Sequence, residues 1–245
     1  MPMGQATDAK LSYQTLRGLV LRRSNWRDSD RIVTLLTMER GKVDVVLRGA
    51  RKPKSPLLPA GEVFTLGEFV LYKGRGHEMA TAFTLLDAYY PLRQDYHRLS
   101  FASLTLKAAD GVAQKEAPEE HLFILLARTL ARLAYGKKSP EEVTAAFLWH
   151  LCGIEGFRPD TAFCTLCKKS LENEEGAYLS ASQDGIACED CVEKPRKREW
   201  LSKNHLLWLK EVETAGIDRM ESPLSVPLSP IVTYVEEHLG FRIMQ

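Results

Sequence analysis

The sequence predicts an α+β protein of several domains, in which a small β-barrel comes first and helices follow. Three observations lead to this prediction. Short apolar runs separated by glycine turns fill roughly the first 90 residues, apolar residues then recur at helical spacing, and four cysteines interrupt the helical part. At 245 residues, 44% hydrophobic and 27% charged, the chain is long enough for two or three folding units with buried cores.

Five predicted strands follow a polar tail at residues 1–14. They are rich in Val, Leu, Thr and Phe, and Arg40-Gly41 and the glycines around Arg75 mark turns between them. Five strands with no helix among them favour an OB-fold barrel over residues 15–88, although an SH3-like barrel has the same periodicity. The predicted strands span residues 15–23, 31–38, 42–47, 63–72 and 78–86.

Predicted helices begin after the barrel and form a helical domain over residues 89–160. Ser139-Pro140 with Glu142 is a strong helix start, because serine caps, proline suits the first turn and glutamate completes a capping box. Ser202 and Ser229-Pro230 predict two later helices, the last one ending at Gly240. The C-terminal segment, residues 196–245, is expected to pack on the helical domain. The predicted helices span residues 96–114, 122–135, 140–152, 203–214 and 230–239.

Four cysteines form two C-x2-C pairs separated by 20 residues, the spacing of a zinc ribbon. Each short pair brings two thiolates to one turn, and two such turns complete a tetrahedron around Zn²⁺. The segment between them is too small to fold on its own core, so metal binding would stabilise it. The sequence therefore predicts one structural zinc ion in an inserted element at residues 161–195, with the ligands Cys164, Cys167, Cys188 and Cys191.

Other chemistries of cysteine fit the pattern less well. Two disulfides need an oxidising compartment, and the chain has no export signal. A dithiol redox site would follow a strand and open a helix, which neither pair does. The deaminase motif H-x-E is absent, and four thiolates leave no position for a catalytic water. The fifth cysteine, Cys152, lies in an apolar run and is predicted to be a buried hydrophobic residue.

Basic residues are unevenly distributed although the formal net charge is only +1. Residues 15–54 contain 11 Lys or Arg against 4 Asp or Glu, and residues 193–210 contain 6 against 2. This asymmetry indicates a polyanionic partner, most often nucleic acid, while a merely solvated basic surface stays open. Trp26 is either a platform for stacking a base or a cover over the end of the barrel. The predicted nucleic-acid-binding residues are Arg22, Arg23, Trp26, Arg27, Arg31, Lys42, Arg48, Arg51, Lys52, Lys54, Lys194, Arg196, Lys197 and Arg198.

Motifs of known catalytic sites are missing from the sequence. No P-loop, dinucleotide-binding glycine motif, H-E-x-x-H, G-x-S-x-G or kinase set occurs, so we expect a protein that is not an enzyme. No stretch approaches the roughly 20 apolar residues of a membrane span, and the first residues carry no signal-peptide core. We therefore expect a cytoplasmic protein.

Several short motifs occur in a fixed order along residues 16–191. They lie at residues 18–23, 28–37, 40–42, 48–51, 118–123 and 147–159, and the four cysteines follow them. In this order the motifs resemble those of the RecO family of bacterial recombination mediators. The resemblance is weaker after Cys191.

The resemblance implies an N-terminal OB fold, a helical domain, a zinc element and association with the nucleoid. Family members bind single- and double-stranded DNA and anneal complementary strands. With RecR they load RecA onto DNA coated by single-strand-binding protein, whose C-terminal tail is a further expected partner. Two other interpretations of the residues stay open: an RNA-associated zinc-ribbon protein, and an adaptor whose helical domain binds a peptide.

Overall fold

The computed structural model describes residues 12–73, 77–192, 199–219 and 227–244. The predicted turn at residues 74–76 and the basic residues Lys194, Arg196, Lys197 and Arg198 lie outside the described residues. The chain divides into two compact units. The barrel unit comprises residues 1–88 and 114–119, and the helical unit comprises residues 89–113 and 120–245.

A closed five-stranded barrel forms the first unit, which confirms the predicted OB-like fold. Its strands are β1 (Ser12–Trp26), β2 (Asp30–Thr37), β3 (Gly41–Leu47), β4 (Leu66–Lys73) and β5 (Glu78–Asp87). They are hydrogen-bonded in the order β1-β2-β3-β5-β4 and back to β1. All pairs are antiparallel except β3 with β5, which meet only at Val45 and Val46.

The long strand β1 closes the barrel because it pairs with two neighbours in succession. Its first half, Ser12 to Leu19, pairs with β4, and residues from Gly18 to Trp26 pair with β2. A bulge between Val20 and Arg22 bends the strand at this changeover. Alternate side chains then fill one core, which includes Leu16, Val20, Val33, Val45 and Phe69.

Helices and a small sheet make up the second unit. Its elements are α1 (Tyr96–Val112), α2 (Glu120–Tyr135), α3 (Pro140–Ile154), β6 (Gly176–Ser180), β7 (Gly185–Ala187), β8 (Glu199–Ser202), α4 (Lys203–Ala215) and α5 (Leu228–Leu239). The predicted capping box of Ser139 and Glu142 opens α3. Trp149, Phe147 and Trp208 are among the largest fully buried side chains and anchor the core of the unit. None of the helices in the described ranges is long and apolar enough to cross a membrane.

Strand β8 differs from the sequence-based prediction, which gave only helices after residue 195. Residues 199–202 pair antiparallel with β6, so the small sheet has the order β7-β6-β8. Four residues are too few to show a periodicity, and the strand exists through pairing with residues 20 to 26 positions earlier in the chain. The last helix also begins slightly earlier than predicted, with Pro227 rather than Ser229 at its N-cap.

The first helix was predicted to reach residue 114 but ends earlier, and the link between α1 and α2 belongs to the barrel unit. Helix α1 ends at Val112, and residues 114–119 lie along the start of β3. The Lys42 N–H donates to the Gln114 carbonyl, and the Glu119 N–H donates to the Met38 carbonyl. These long-range backbone bonds cannot be read from local sequence spacing.

Candidate metal centre and nucleic-acid surface

Each C-x2-C pair sits on a tight turn, as its spacing requires. In the first turn the Lys168 N–H bonds to the Cys164 carbonyl, and in the second the Cys191 N–H bonds to the Cys188 carbonyl. The Thr165 N–H also donates to the carbonyl of Ile186 in β7, which holds the first turn against the strand that leads into the second. Backbone bonds thus bring the two turns together.

The four thiol groups converge on one point. Their sulfur atoms all lie within 4.8 Å of one another, and the Cys167 and Cys188 sulfurs are 3.8 Å apart. Zinc–sulfur bonds of about 2.3 Å in a tetrahedron place neighbouring sulfurs about 3.8 Å apart. All five cysteines are unbridged, and Cys152 is fully buried in α3. The four grouped cysteines could therefore hold a metal ion, and their donor set and spacing fit zinc.

Backbone N–H groups stabilise negative charge on one sulfur of the cluster, that of Cys164. Burial raises the pKa of the Cys164 thiol, but N–H groups of Cys188, Cys167 and Leu166 point at its sulfur and lower the pKa to about 6. Hydrogen bonds with the thiols of Cys167 and Cys188 raise the pKa of Cys191 to about 12. The first thiolate thus forms near neutral pH, and the remaining protons would leave as a cation binds.

The predicted basic loop is fixed to the turn between β1 and β2. The Gly49 N–H donates to the Asp30 carboxylate (2.8 Å), and the Arg51 N–H donates to the Ser29 carbonyl (3.0 Å). The Arg51 guanidinium also donates to the Asp28 carbonyl (3.1 Å). These bonds place the loop beside the turn that carries Arg27. We call the exposed basic side chains of the two segments the loop–turn surface: Arg27, Arg48, Arg51, Lys52 and Lys54.

Trp26 lies at the end of β1, next to this surface, and is partly exposed. The Arg27 guanidinium lies over its ring, 4.3 Å from the centroid, and the His77 ring contacts its edge. One face of the indole is therefore covered by a cation. Both interpretations of Trp26, as a base platform and as a cover, stay predictions.

Arg22 and Arg23 line a separate cavity of about 390 Å³ on the barrel wall. The sequence did not single out two other residues that line it, Asp44 and His77. Burial raises the pKa of Asp44, but hydrogen bonds from Lys115 and Thr34 outweigh it, so the pKa lies below its ordinary value. This carboxylate stays charged beside the arginines. Arg22 and Arg23 lie apart from the basic loop in the sequence. Only the fold shows that the Asp44 carboxylate is their neighbour.

Arg31 and Lys42 do not join the loop–turn surface. The Arg31 side chain is only 11% exposed and donates to the Glu62 carboxylate and the Gly61 carbonyl, both at 2.8 Å. It therefore braces the barrel, and its predicted role in nucleic-acid binding stays a prediction. Lys42 lies at the start of β3, six residues or roughly 20 Å before Arg48. Their basic charge, which is all that the sequence shows, could not distinguish Arg31 and Lys42 from the residues of the loop–turn surface.

Comparison with known proteins supports the resemblance along nearly the whole chain. Residues 11–90 match the family described as "Recombination protein O N terminal", and residues 93–243 match "Recombination protein O C terminal". A "DNA repair protein RecO" of Symbiobacterium thermophilum is 29% identical over 85% of this chain and 83% of its own. Proteins of the same name from Desulforamulus reducens and Alkaliphilus metalliredigens are 28% and 30% identical, covering 93% and 71% of this chain and 90% and 70% of their own.

The structure is that of a multidomain protein with an OB-like barrel, a helical unit and a four-cysteine cluster, and the family matches place it in the DNA repair class. The chain belongs to the RecO family.

Proposed function

We propose that this chain is a recombination mediator that binds single- and double-stranded DNA and anneals complementary strands. With RecR it would help to load RecA onto DNA coated by single-strand-binding protein. It would act in the cytoplasm at the nucleoid and catalyse no bond chemistry. Membership of the family and the basic surface of the barrel support this proposal.

The anchored loop–turn surface is the observation that carries the proposal. Five basic side chains project from two segments whose backbones are held together by hydrogen bonds. Because the backbone is fixed before binding, less conformational freedom is lost when phosphates arrive. Contacts to phosphates carry no sequence information, so such a surface binds strands of any sequence and screens their charge. Annealing needs both properties.

We also propose that the four cysteines hold one structural Zn²⁺. When bound, the ion would supply the cross-link that fixes the two turns and the small sheet. Next to the cluster, the Gln183 side chain donates to the Cys191 carbonyl, and Cys191 lies two residues before the basic stretch 193–198. The metal would thus fix the chain end from which Lys194, Arg196, Lys197 and Arg198 extend, as predicted DNA-binding residues.

Reversing the charges at Arg27, Lys52 and Lys54 should weaken binding of single-stranded DNA by about ten- to a hundredfold near 100 mM salt. Each lost phosphate contact should flatten the slope of log K against log salt by about 0.7. Fluorescence anisotropy with a labelled oligonucleotide across a salt series measures both quantities. Arg51 is left unchanged because it supports the loop.

The matched control reverses three exposed basic residues of the helical unit, Lys107, Arg219 and Arg242, and changes the net charge equally. This control variant should keep most of the slope of log K against log salt. Identical slopes for the two variants would show that the loop–turn surface does not bind the phosphates.

Competition between RNA and DNA oligonucleotides, with annealing followed in the same samples, separates a DNA mediator from an RNA-associated protein.

A groove in the helical unit supports the proposal that the chain binds a peptide partner. It is a cavity of about 510 Å³ whose floor includes Ile124, Ile154 and Ile217 and whose rim carries Arg128 and Arg158. Each arginine pairs with one exposed carboxylate, Asp218 or Glu213, which an acidic ligand could replace. Burial lowers the pKa of His150, also in this groove, and the Arg158 charge adds to the effect, so its imidazole stays neutral. An apolar floor with a cationic rim fits an acidic, apolar-ended tail, and we propose it for the tail of single-strand-binding protein.

Arg128→Glu should weaken binding of that tail peptide at least about tenfold, because it removes a cation from the rim and adds a repulsive charge. Calorimetry at low salt measures the affinity. Lys107→Glu lies on α1 outside the groove and serves as the control of equal charge change. If both variants bind the peptide as well as the native protein does, the tail binds elsewhere.

A further inference from the structure

Three strongly exposed tyrosines belong to one end of the helical unit. Among the described residues, the tyrosines more than half exposed are Tyr13 (65%), Tyr90 (62%), Tyr96 (86%) and Tyr135 (57%). All but Tyr13 lie in the segment before α1, in its first turn, or at the end of α2. Aromatic rings gain free energy from burial, so a group of exposed rings marks a surface for contact with another molecule.

Specific contacts bring these segments together. The Arg98 guanidinium, in the first turn of α1, donates to the carbonyls of Leu133 and Gly136 at the end of α2. The ring of Tyr89 lies 6.4 Å from the ring of Tyr135. The start of α1 and the end of α2 are therefore neighbours. We call this region the tyrosine end and define it by its exposed residues Tyr90, Tyr96 and Tyr135.

The backbone beneath the rings is held in place. Tyr89 is 2% exposed, and its hydroxyl donates to the Ala127 carbonyl (3.1 Å). Its φ of 43° lies in the left-handed region, and the chain then turns into a short 3-10 helix at Tyr90–Gln94, where Leu92 is fully buried. Five residues of 3-10 helix rise about 10 Å, so Tyr90 and Tyr96 stand at the two ends of a short fixed platform.

The charges around the rings do not resemble a phosphate-binding patch. Arg93 and Lys137 are exposed, but Lys138 pairs with Glu142. The acidic groups are engaged within the unit: Asp95 caps α1, and Glu141 lies 2.9 Å from His97. The surface is therefore aromatic with a few cations at its edge. This combination suits stacking of bases, with phosphates passing beside it.

We propose that the tyrosine end stacks the unpaired bases of a single nucleic-acid strand. The proposal rests on the proposed DNA-binding function and adds to it a second strand-binding surface, on the helical unit. Bases in a duplex are already stacked and hidden, so this surface would select single strands. Annealing needs two unpaired strands on one protein, and a second strand-binding surface would let the protein hold one strand there while the barrel holds the other.

The test replaces Tyr90 and Tyr96 together by alanine and compares the result with the double phenylalanine variant. Tyr135 is left unchanged because its ring contacts Tyr89. The alanine variant should bind an oligo-dT strand at least about fivefold more weakly, with an unchanged salt slope and unchanged duplex binding. The phenylalanine variant should bind like the native protein, because it keeps the rings. Equal thermal unfolding of all three proteins shows that the fold is intact.

Photocross-linking provides an independent measurement on the native protein. An oligonucleotide containing 5-iodouracil should cross-link to Tyr90, Tyr96 or Tyr135, which peptide mass analysis identifies. Native-like oligo-dT binding by the alanine variant, or cross-links confined to the barrel, would overturn the inference. An equal loss of single-strand and duplex binding would overturn it too. The charge-reversal variant of the loop–turn surface tests the proposed function separately, so the two can fail independently.

Discussion

Replacing Cys164 and Cys188 by serine should abolish metal binding and unfold the small sheet of the helical unit. Together the two substitutions remove one thiolate from each turn, so the remaining two thiolates cannot complete the tetrahedron. Structural zinc contributes about 10–16 kcal/mol of apparent binding free energy in isolated zinc-finger peptides, far more than this short sheet can supply by packing. Metal analysis of the purified protein should give one zinc per native chain and none per variant chain.

Cys152→Ala is the matched control because this cysteine is buried in α3, away from the cluster. It should keep one zinc per chain. Hydrogen exchange should show faster exchange in β6 and β7 of the double variant, with the barrel strands unchanged. A native protein without metal, or a double variant that still binds one equivalent, would contradict the assignment of these ligands.

Gly41→Ala should destabilise the barrel by about 2–5 kcal/mol. Gly41 has a φ of +57°, where alanine costs about 1–2 kcal/mol. A Cβ atom there would also overlap the carbonyl oxygens of Ala117 and Gln114, and relieving such overpacking typically costs a further 1–3 kcal/mol. Native-state hydrogen exchange of the β2 and β3 amides measures the loss.

Gly49 offers a matched control within the same unit. Its φ of +64° imposes the same backbone strain, but the nearest atom to an added Cβ is the flexible Lys52 side chain at 3.7 Å. Gly49→Ala should therefore cost only about 1–2 kcal/mol. Equal losses for the two substitutions would show that contact with residues 114–119 does not constrain Gly41.

The features that sequence could predict are those set by local chemistry. Runs rich in Val, Leu, Thr and Phe between glycine turns predicted the five strands, and Ser139 with Glu142 predicted the start of α3, because these signals act within a few residues. The spacing of the cysteines required turns that bring the thiols together, and the sulfurs do converge. The capping box and each C-x2-C turn are encoded by neighbours in the chain, whereas the meeting of the two turns also involves the long-range bond between Thr165 and Ile186.

The features that sequence could not predict depend on distant partners. Strand β8 exists through pairing with β6, and the buried state of Arg31 depends on Glu62, 31 residues away. From the sequence alone, Tyr90 and Tyr96 are simply parts of a turn and of a helix start. Only the packing of the start of α1 against the end of α2 shows that they belong to the same region of the helical unit as Tyr135. Composition states how many basic or aromatic residues exist, whereas the fold decides which of them act together.

The return of residues 114–119 to the barrel unit limits how this protein could be divided. The chain passes from one unit to the other three times, after residues 88, 113 and 119. A fragment that stops at residue 88 would lack Glu116, which pairs with Arg40, and the carbonyl that accepts from Lys42. The barrel is therefore not a module that gene fusion could transfer as one contiguous stretch. The barrel unit includes six residues, 114–119, that lie in the sequence between the two segments of the helical unit.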